Sequence, residues 1–343
     1  MKKNFTLLAL IVVFCLAPRL STWAQDDDFN MSDFSAADSQ KVKSFCTNKV
    51  LNLSPSKIVS LSYDFVSGFL VTNEQNIDLF PYRFSPVSLK HGLRIDATVP
   101  IISNRKIIVS GTFNHWETHY RFKKENNGIP FSSVVENTPL RTSALGFLVF
   151  KPLSVKHFII VQAEAALNGT YDFNDTSPDF GALKYSAAAL FGWKFNDYTN
   201  FAIGAVRTYR GGRLLHLPAL LYNKTFNDRW GLEMLLPARA MVRYNFSAKS
   251  LVTAGFEVEG HSYRLQTSNT ATSPKLELRR SEVRFRLGWD KALTDFIWLN
   301  LQGGVRYGYR FDIDEDASST EPLLSFNVGL PLYFRFGISL VSP

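Results

Sequence analysis

FNVGLPLYFRFGISL, residues 326–340, decides the fold. Every second position reads Phe326, Val328, Leu330, Leu332, Phe334, Phe336, Ile338 and Leu340. Between them stand Asn327, Gly329, Pro331, Tyr333, Arg335, Gly337 and Ser339. Side chains alternate across a strand, so this one is apolar along one whole side and carries a guanidinium on the other. Fifteen residues is well beyond the usual strand of about five or six, in a chain only 45% hydrophobic.

The same two-sidedness recurs upstream. LRIDATVPI (93–101) sets Leu93, Ile95, Ala97, Val99 and Ile101 against Arg94, Asp96, Thr98 and Pro100. LKYSAAALFGWKF (183–195), EVRFRLGW (282–289) and IWLNLQGGVRYGYRF (297–311) alternate likewise. Short polar turns fall at 102–106, 151–156, 196–200, 223–228, 247–250 and 290–295. Longer segments separate them at about 67–91, 122–139, 171–182, 262–276 and 310–322. A meander of short turns and long loops has the pattern of a membrane barrel. WGLEMLLPARAMVRYNF (230–246) breaks that rhythm, but LPALLYNKTFNDRWGLE (217–233) and LPARAMVRYNFSAKSLVTAGFE (236–257) form an imperfect repeat. The repeat places a tight turn at Pro237-Ala238, with strands over 230–236 and 239–246. The count becomes fourteen, with twelve the alternative.

Trp193, Trp230, Trp289 and Trp298 lie within a few residues of the short turns. Indole prefers the bilayer interface, where its ring is apolar and its N–H reaches water. These four are the expected interface aromatics on one rim. A greasy strand side this long then has lipid outside it, because unpaired strand edges in hydrocarbon force closure into a barrel. The competing fold is a secreted sandwich that buries the same side, without need of such strands or an aromatic rim.

The N-terminus carries Lys2 and Lys3, an apolar run from Phe5 to Leu16, and Thr22-Trp23-Ala24 before Gln25. That is a secretory signal over 1–24, its apolar run too short to span a bilayer. Phe14 before Cys15 argues against lipidation. Removing 1–24 takes away Lys2, Lys3 and Arg19 and no acid, so the net charge falls from +8 to +5. That excess is no nucleic-acid footprint. Only Cys46 remains, which leaves no intrachain disulfide and no thiolate metal site. Residues 25–56 form a polar periplasmic segment or a plug, and 57–343 the barrel.

With the signal, the alternating strands over 57–341 and the aromatic-rich LYFRFGISL, the chain resembles uncharacterised porin-like outer-membrane β-barrel proteins of Gram-negative bacteria. The resemblance implies an outer-membrane location, contact with outer-membrane lipid, and the barrel-assembly machinery as a partner in biogenesis. The usual terminal aromatic is replaced by Leu340-Val341-Ser342-Pro343.

On this phasing Arg239, Arg243, Arg284, Arg286, Arg306, Arg310 and Arg335 turn inward with Glu233, Glu257, Glu259 and Glu282. Rings of arginine favour anions in pores, whereas an Arg/Glu network that satisfies itself merely fills the barrel. His115 and His119, four apart on a strand, share a side yet stand too far apart to hold one small ion. No G-x-S-x-G, compact Ser/His pair or Gly-rich phosphate loop occurs, so no enzyme, cofactor or metal is expected. Two functions fit: a passive channel for small anionic or hydrophobic solutes, or a non-transporting barrel acting through its loops. Protein recovered from membranes is expected to begin at Gln25, as N-terminal mass spectrometry will read; an intact Met1 would refute the export signal.

Overall fold

A computed structural model of the chain describes residues 50–73, 84–123, 135–136, 138–171, 179–265, 276–314 and 322–341. The expected signal peptide, residues 25–49 and most of the 122–139 loop lie outside them.

The described chain is almost entirely strand. The first elements are β1 (Lys57–Val66), β2 (Phe69–Asn73), β3 (Phe84–Ser103), β4 (Ile108–Phe122), β5 (Leu140–Pro152) and β6 (His157–Gly169). Then come β7 (Lys184–Asn196), β8 (Thr199–Thr208), β9 (Leu215–Thr225), β10 (Trp230–Leu236) and β11 (Arg239–Ser247). The last are β12 (Ser250–Leu265), β13 (Leu276–Ala292), β14 (Ile297–Asp314), β15 (Leu324–Val328) and β16 (Leu332–Val341).

From β3 to β14 each strand pairs antiparallel with the next, β16 pairs with β14 and β1, and β1 pairs with β3. The sheet is therefore closed. Short β2 and β15 prolong β1 and β16: Val66 stands opposite Tyr333, and Val71 opposite Val328, in one continuous register. Counted so, the ring has fourteen strands. A turn at 237–238, entered through a cis Leu236–Pro237 bond, separates β10 from β11.

Closure pairs the strands on both sides through the belt, and the alternation decides what each side meets. On β16, Leu332, Phe334, Phe336, Ile338 and Leu340 are 43–63% exposed on the outside, while Arg335 and Ser339 are 8% and 1% exposed within. Leu61, Phe113, Leu145, Phe147, Ile203, Phe285 and Leu287 continue that apolar belt around the ring. A soluble protein would cover it, since large apolar patches are rare on free surfaces. The chain is an outer-membrane-type β-barrel.

The opening stretch is not one uninterrupted strand. Gly329, Leu330 and Pro331 break it, beside the break at Ser67–Gly68 between β1 and β2, because proline offers no ladder donor. Beyond the break the strands turn over, so Phe326 and Val328 pack inside rather than facing lipid. Parts of the expected loops at 67–91, 262–276 and 310–322 are strand, over 69–73, 84–91, 262–265 and 310–314: β2, β3, β12, β13 and β14 run well past the belt. Polar residues there mark strand outside the bilayer, not loop.

High on the wall, Arg264 of β12 pairs in parallel with Gly169 of β6, and the Thr170 N–H donates to the Arg264 carbonyl at 3.0 Å. This contact excludes β7–β11, which are short. The fourteen-strand ring thus narrows to a collar of nine: β2 to β6 and β12 to β15. A ring of about eight strands is just filled by its own side chains, whereas wider rings leave a lumen. Accordingly Tyr120, Leu140, Tyr263, Leu278, Phe311 and Phe326 fill the collar as an apolar core.

Below the collar, Phe158 lies buried over Gly192 on the neighbouring strand. A Cβ at 192 would stand 2.2 Å from that ring. Gly192→Val should therefore cost about 1–3 kcal/mol through overpacking, measured as a lower urea midpoint of unfolding in micelles; an unchanged midpoint would show that the ring moves freely.

Candidate functional site in the barrel lumen

The lumen has two unlike walls. On β5–β10 an apolar strip lines the inside: Phe150, Phe158, Leu190, Ala202 and Ala219, with partly exposed Ile160, Val206, Leu221 and Leu235 packed against them, set among inward polar residues such as Glu164, Lys184, Asn200 and Thr225. On β12–β16, β1 and β3 the inward positions are charged. Strand alternation alone produces this division, because each strand contributes its own even or odd set.

Asp64 on β1 is the centre of one half of the charged wall. Arg335 grips it with two guanidinium nitrogens, one of them at 2.8 Å, and Arg306 reaches it at 3.2 Å. Arg306 also donates to Glu282 at 2.9 Å. Glu259 on β12 is the second centre: Arg284 donates to it from the adjacent strand, and Arg94 of β3 reaches it at 2.6 Å. Arg94 and Glu259 stand on opposite sides of the narrowed ring, as do Lys90 and Glu282 at 3.8 Å, and Arg280 and the Tyr120 hydroxyl at 3.2 Å. Trp116 lies under the Arg94 guanidinium, 3.8 Å from ring centre to Cζ, and against the His261 ring at 4.8 Å.

The network therefore bridges the lumen from wall to wall. The two cavities around it each hold only about 20 Å³ of free space, roughly room for one water. Seven cations (Lys90, Arg94, Arg280, Arg284, Arg286, Arg306 and Arg335) form ion pairs with four carboxylates (Asp64, Glu257, Glu259 and Glu282). Within these pairs cations exceed anions by three, and Asp96 of β3 also faces inward, accepting from the Trp116 indole N–H at 3.1 Å.

Of the residues expected to line the lumen, Arg284, Arg306, Arg335, Glu259 and Glu282 are buried in this network. Arg286 and Glu257 sit at its edge, 3.8 Å apart. Arg243 is fully buried elsewhere, 3.3 Å from Glu233 and 3.0 Å from the Thr225 hydroxyl. Arg239 is exposed beside the 237–238 turn. Arg310 does not face the lumen: a bulge at Tyr309 reverses the alternation, so Phe311 points in and Arg310 pairs with Asp312 on the outer side at 3.7 Å. Trp298 is likewise not an interface residue. It shares the inward phase of Asn300 and is buried against Leu251 and Val341, whereas Trp230 and Trp289 are exposed and Trp193 is half-buried.

Asp64, Lys90, Arg94 and Arg280 escaped the sequence analysis as site residues. Arg94 and Asp64 were visible in the alternation of LRIDATVPI and LSYDF. Their partnership was not, since 165 residues separate Arg94 from Glu259.

Residues 50–56 cross the mouth at the short-turn end of the barrel. The Leu51 N–H donates to the Asp197 carbonyl at 2.8 Å, its carbonyl accepts from Thr225 at 2.7 Å, and Ser54 donates twice to Glu233. The chain then enters β1, six places round the ring from β10.

Residues 69–321 match a family model described as Domain of unknown function (DUF6268), and the chain belongs to that family. No curated protein matches the sequence. Among solved structures it is similar to an outer membrane channel from Pseudomonas putida F1, at 10% identity over 84% of this chain and 96% of that one, with a TM-score of 0.38. It is also similar to a FadL homologue of Pseudomonas aeruginosa, at 10% identity, 82% and 90% coverage and a TM-score of 0.40. A third is the Pseudomonas putida toluene transporter TodX, at 8% identity, 85% and 92% coverage and a TM-score of 0.34.

Removing one member of a buried ion pair strands its partner, at a cost of about 3–5 kcal/mol. Arg335→Met should thus lower the temperature at which the folded barrel loses its fast gel migration. Asp64→Asn combined with Arg335→Met should recover part of that loss. Equal stability of the Arg335→Met variant and the parent would mean that the pair is fully hydrated.

Proposed function

We propose that this barrel is a transport protein of the outer membrane, closed at rest, for small solutes with an apolar body. The observation that carries the proposal is the inward apolar wall on β5–β10. Ile160, Val206, Leu221 and Leu235 keep part of their surface open to the lumen. Apolar area left in water costs about 25 cal/mol per Å², so a barrel with only a structural task gains by polar residues there. A solute with an apolar body would cover that surface as it passes.

The opposite wall suits a complementary feature. Its surplus of cations favours a solute with an anionic end, whose charge would meet Arg286 while its body lies on the far wall. Such cations act strongly because a low-dielectric site screens them poorly. The ion network that spans the narrowed ring must part, or the solute must pass beside it, for transit to occur. No chemical step enters this proposal.

Two measurements on refolded protein test it. In planar bilayers, steady open steps of general-porin size are not expected, because paired side chains bridge the ring. In vesicles, an aromatic carboxylate should enter faster with the protein than without it, and faster than the corresponding amide. A large steady conductance would make the barrel an open pore. Uptake equal to that of protein-free vesicles would leave a barrel that acts through its surface.

A further inference from the structure

Four consecutive outward positions on β4 are titratable: His115, Glu117, His119 and Arg121. The outward position just before them is Phe113, 38% exposed, and Leu145 opposite it on β5 is 66% exposed. The apolar belt therefore ends at this level on the collar side of the barrel. Directly above it lies a patch of imidazole and guanidinium.

The patch is organised rather than scattered. His91 on β3 stands opposite His119 in register, and their rings stack at 5.3 Å with planes 9° apart. The Tyr63 hydroxyl lies 2.6 Å from His91 Nδ1, which orients the ring and leaves Nε2 for another partner. The only acid among these residues, Glu117, is held by Arg141 at 2.8 Å. His119 also approaches Glu117, at 3.5 Å, with its ring 41% exposed. Arg121 is exposed, and among the described residues its guanidinium has no carboxylate partner. The patch thus offers Arg121 and the two stacked imidazoles to an anion.

We infer that this patch binds the phosphate of a lipid headgroup in the outer leaflet. Position identifies the source. A ligand here would lie at the boundary between the exposed Phe113 and Leu145 below and the Arg121 guanidinium and stacked imidazoles above, with Phe65 opposite His91. A membrane amphiphile supplies acyl chain to the first and phosphate to the second in one molecule. Guanidinium pairs with phosphate through two parallel hydrogen bonds, and imidazole adds a donor at each ring. A guanidinium at headgroup depth also attracts an anionic lipid electrostatically. The inference rests on the outer-membrane setting of the proposed function but not on transport, since none of these residues faces the lumen.

The test uses the full mature protein refolded in micelles, with a bisphosphorylated glycolipid, the same lipid stripped of phosphate, and inorganic phosphate as probes. Binding is read by native mass spectrometry and by a fluorescence titration. The phosphorylated lipid should bind well ahead of the stripped one, and His119→Gln with Arg121→Gln should weaken it about tenfold. The variant should keep the fast gel migration of the folded barrel. Equal binding of both lipids, or unchanged binding by the variant, would overturn the inference. Competition by inorganic phosphate at millimolar concentration would assign the patch to a free anion and overturn the lipid assignment. Failure of the protein to insert into vesicles would instead remove the membrane setting, which separates that failure from this one.

Discussion

The hydrogen-bonded closure of β16 onto β1 is the contact on which everything else depends. A backbone N–H or C=O without a partner in hydrocarbon costs several kcal/mol, so a sheet that meets lipid has no tolerable edge. Nine residue pairs from Lys57–Val341 to Val66–Tyr333 close that edge here. Once closed, the period of two sends Leu332, Phe334, Phe336, Ile338 and Leu340 to lipid, and the same period sends Arg335 to Asp64. Membrane belt and lumen chemistry are two consequences of one register.

Narrowing at β6 and β12 then decides what the lumen can do. Fourteen strands leave space inside, nine do not. The breaks at 67–68 and 329–331, with the bulge at Tyr309, turn the β2, β14 and β15 side chains over near the height where the ring contracts, and the inward set becomes apolar. The charged network lies just beneath this filled region. Arg94 and Glu259 meet at 2.6 Å because the contraction brings β3 and β12 within reach. The apolar strip on β5–β10 stays uncovered where β7–β10 stop below the collar.

Much of this was legible beforehand. Strand alternation in 282–289 and 297–306 placed Arg284, Arg286 and Arg306 inside, and the LPA repeat located the turn at 237–238, hence fourteen strands. Trp298 could have been assigned correctly from the same alternation, since it shares the phase of Asn300. Proximity to a turn misled, because a tryptophan near a turn faces lipid only if its parity agrees. Arg310 was not legible: a one-residue bulge reverses every position after it and leaves no mark in composition.

The sequence by itself determined the class of the protein. Period-two hydrophobicity over long strands, with turn residues between them, admits a closed barrel in a membrane and little else. It also determined which residue types line the inside. Only the tertiary structure decided which of them meet, since Asp64 and Arg335 lie 271 residues apart and pair because closure joins the two ends of the chain. The narrowing was decided there too. It rests on one parallel backbone contact between Gly169 and Arg264, which a Cβ at 169, 2.7 Å from the Arg264 carbonyl oxygen, would obstruct but which no local pattern foretells.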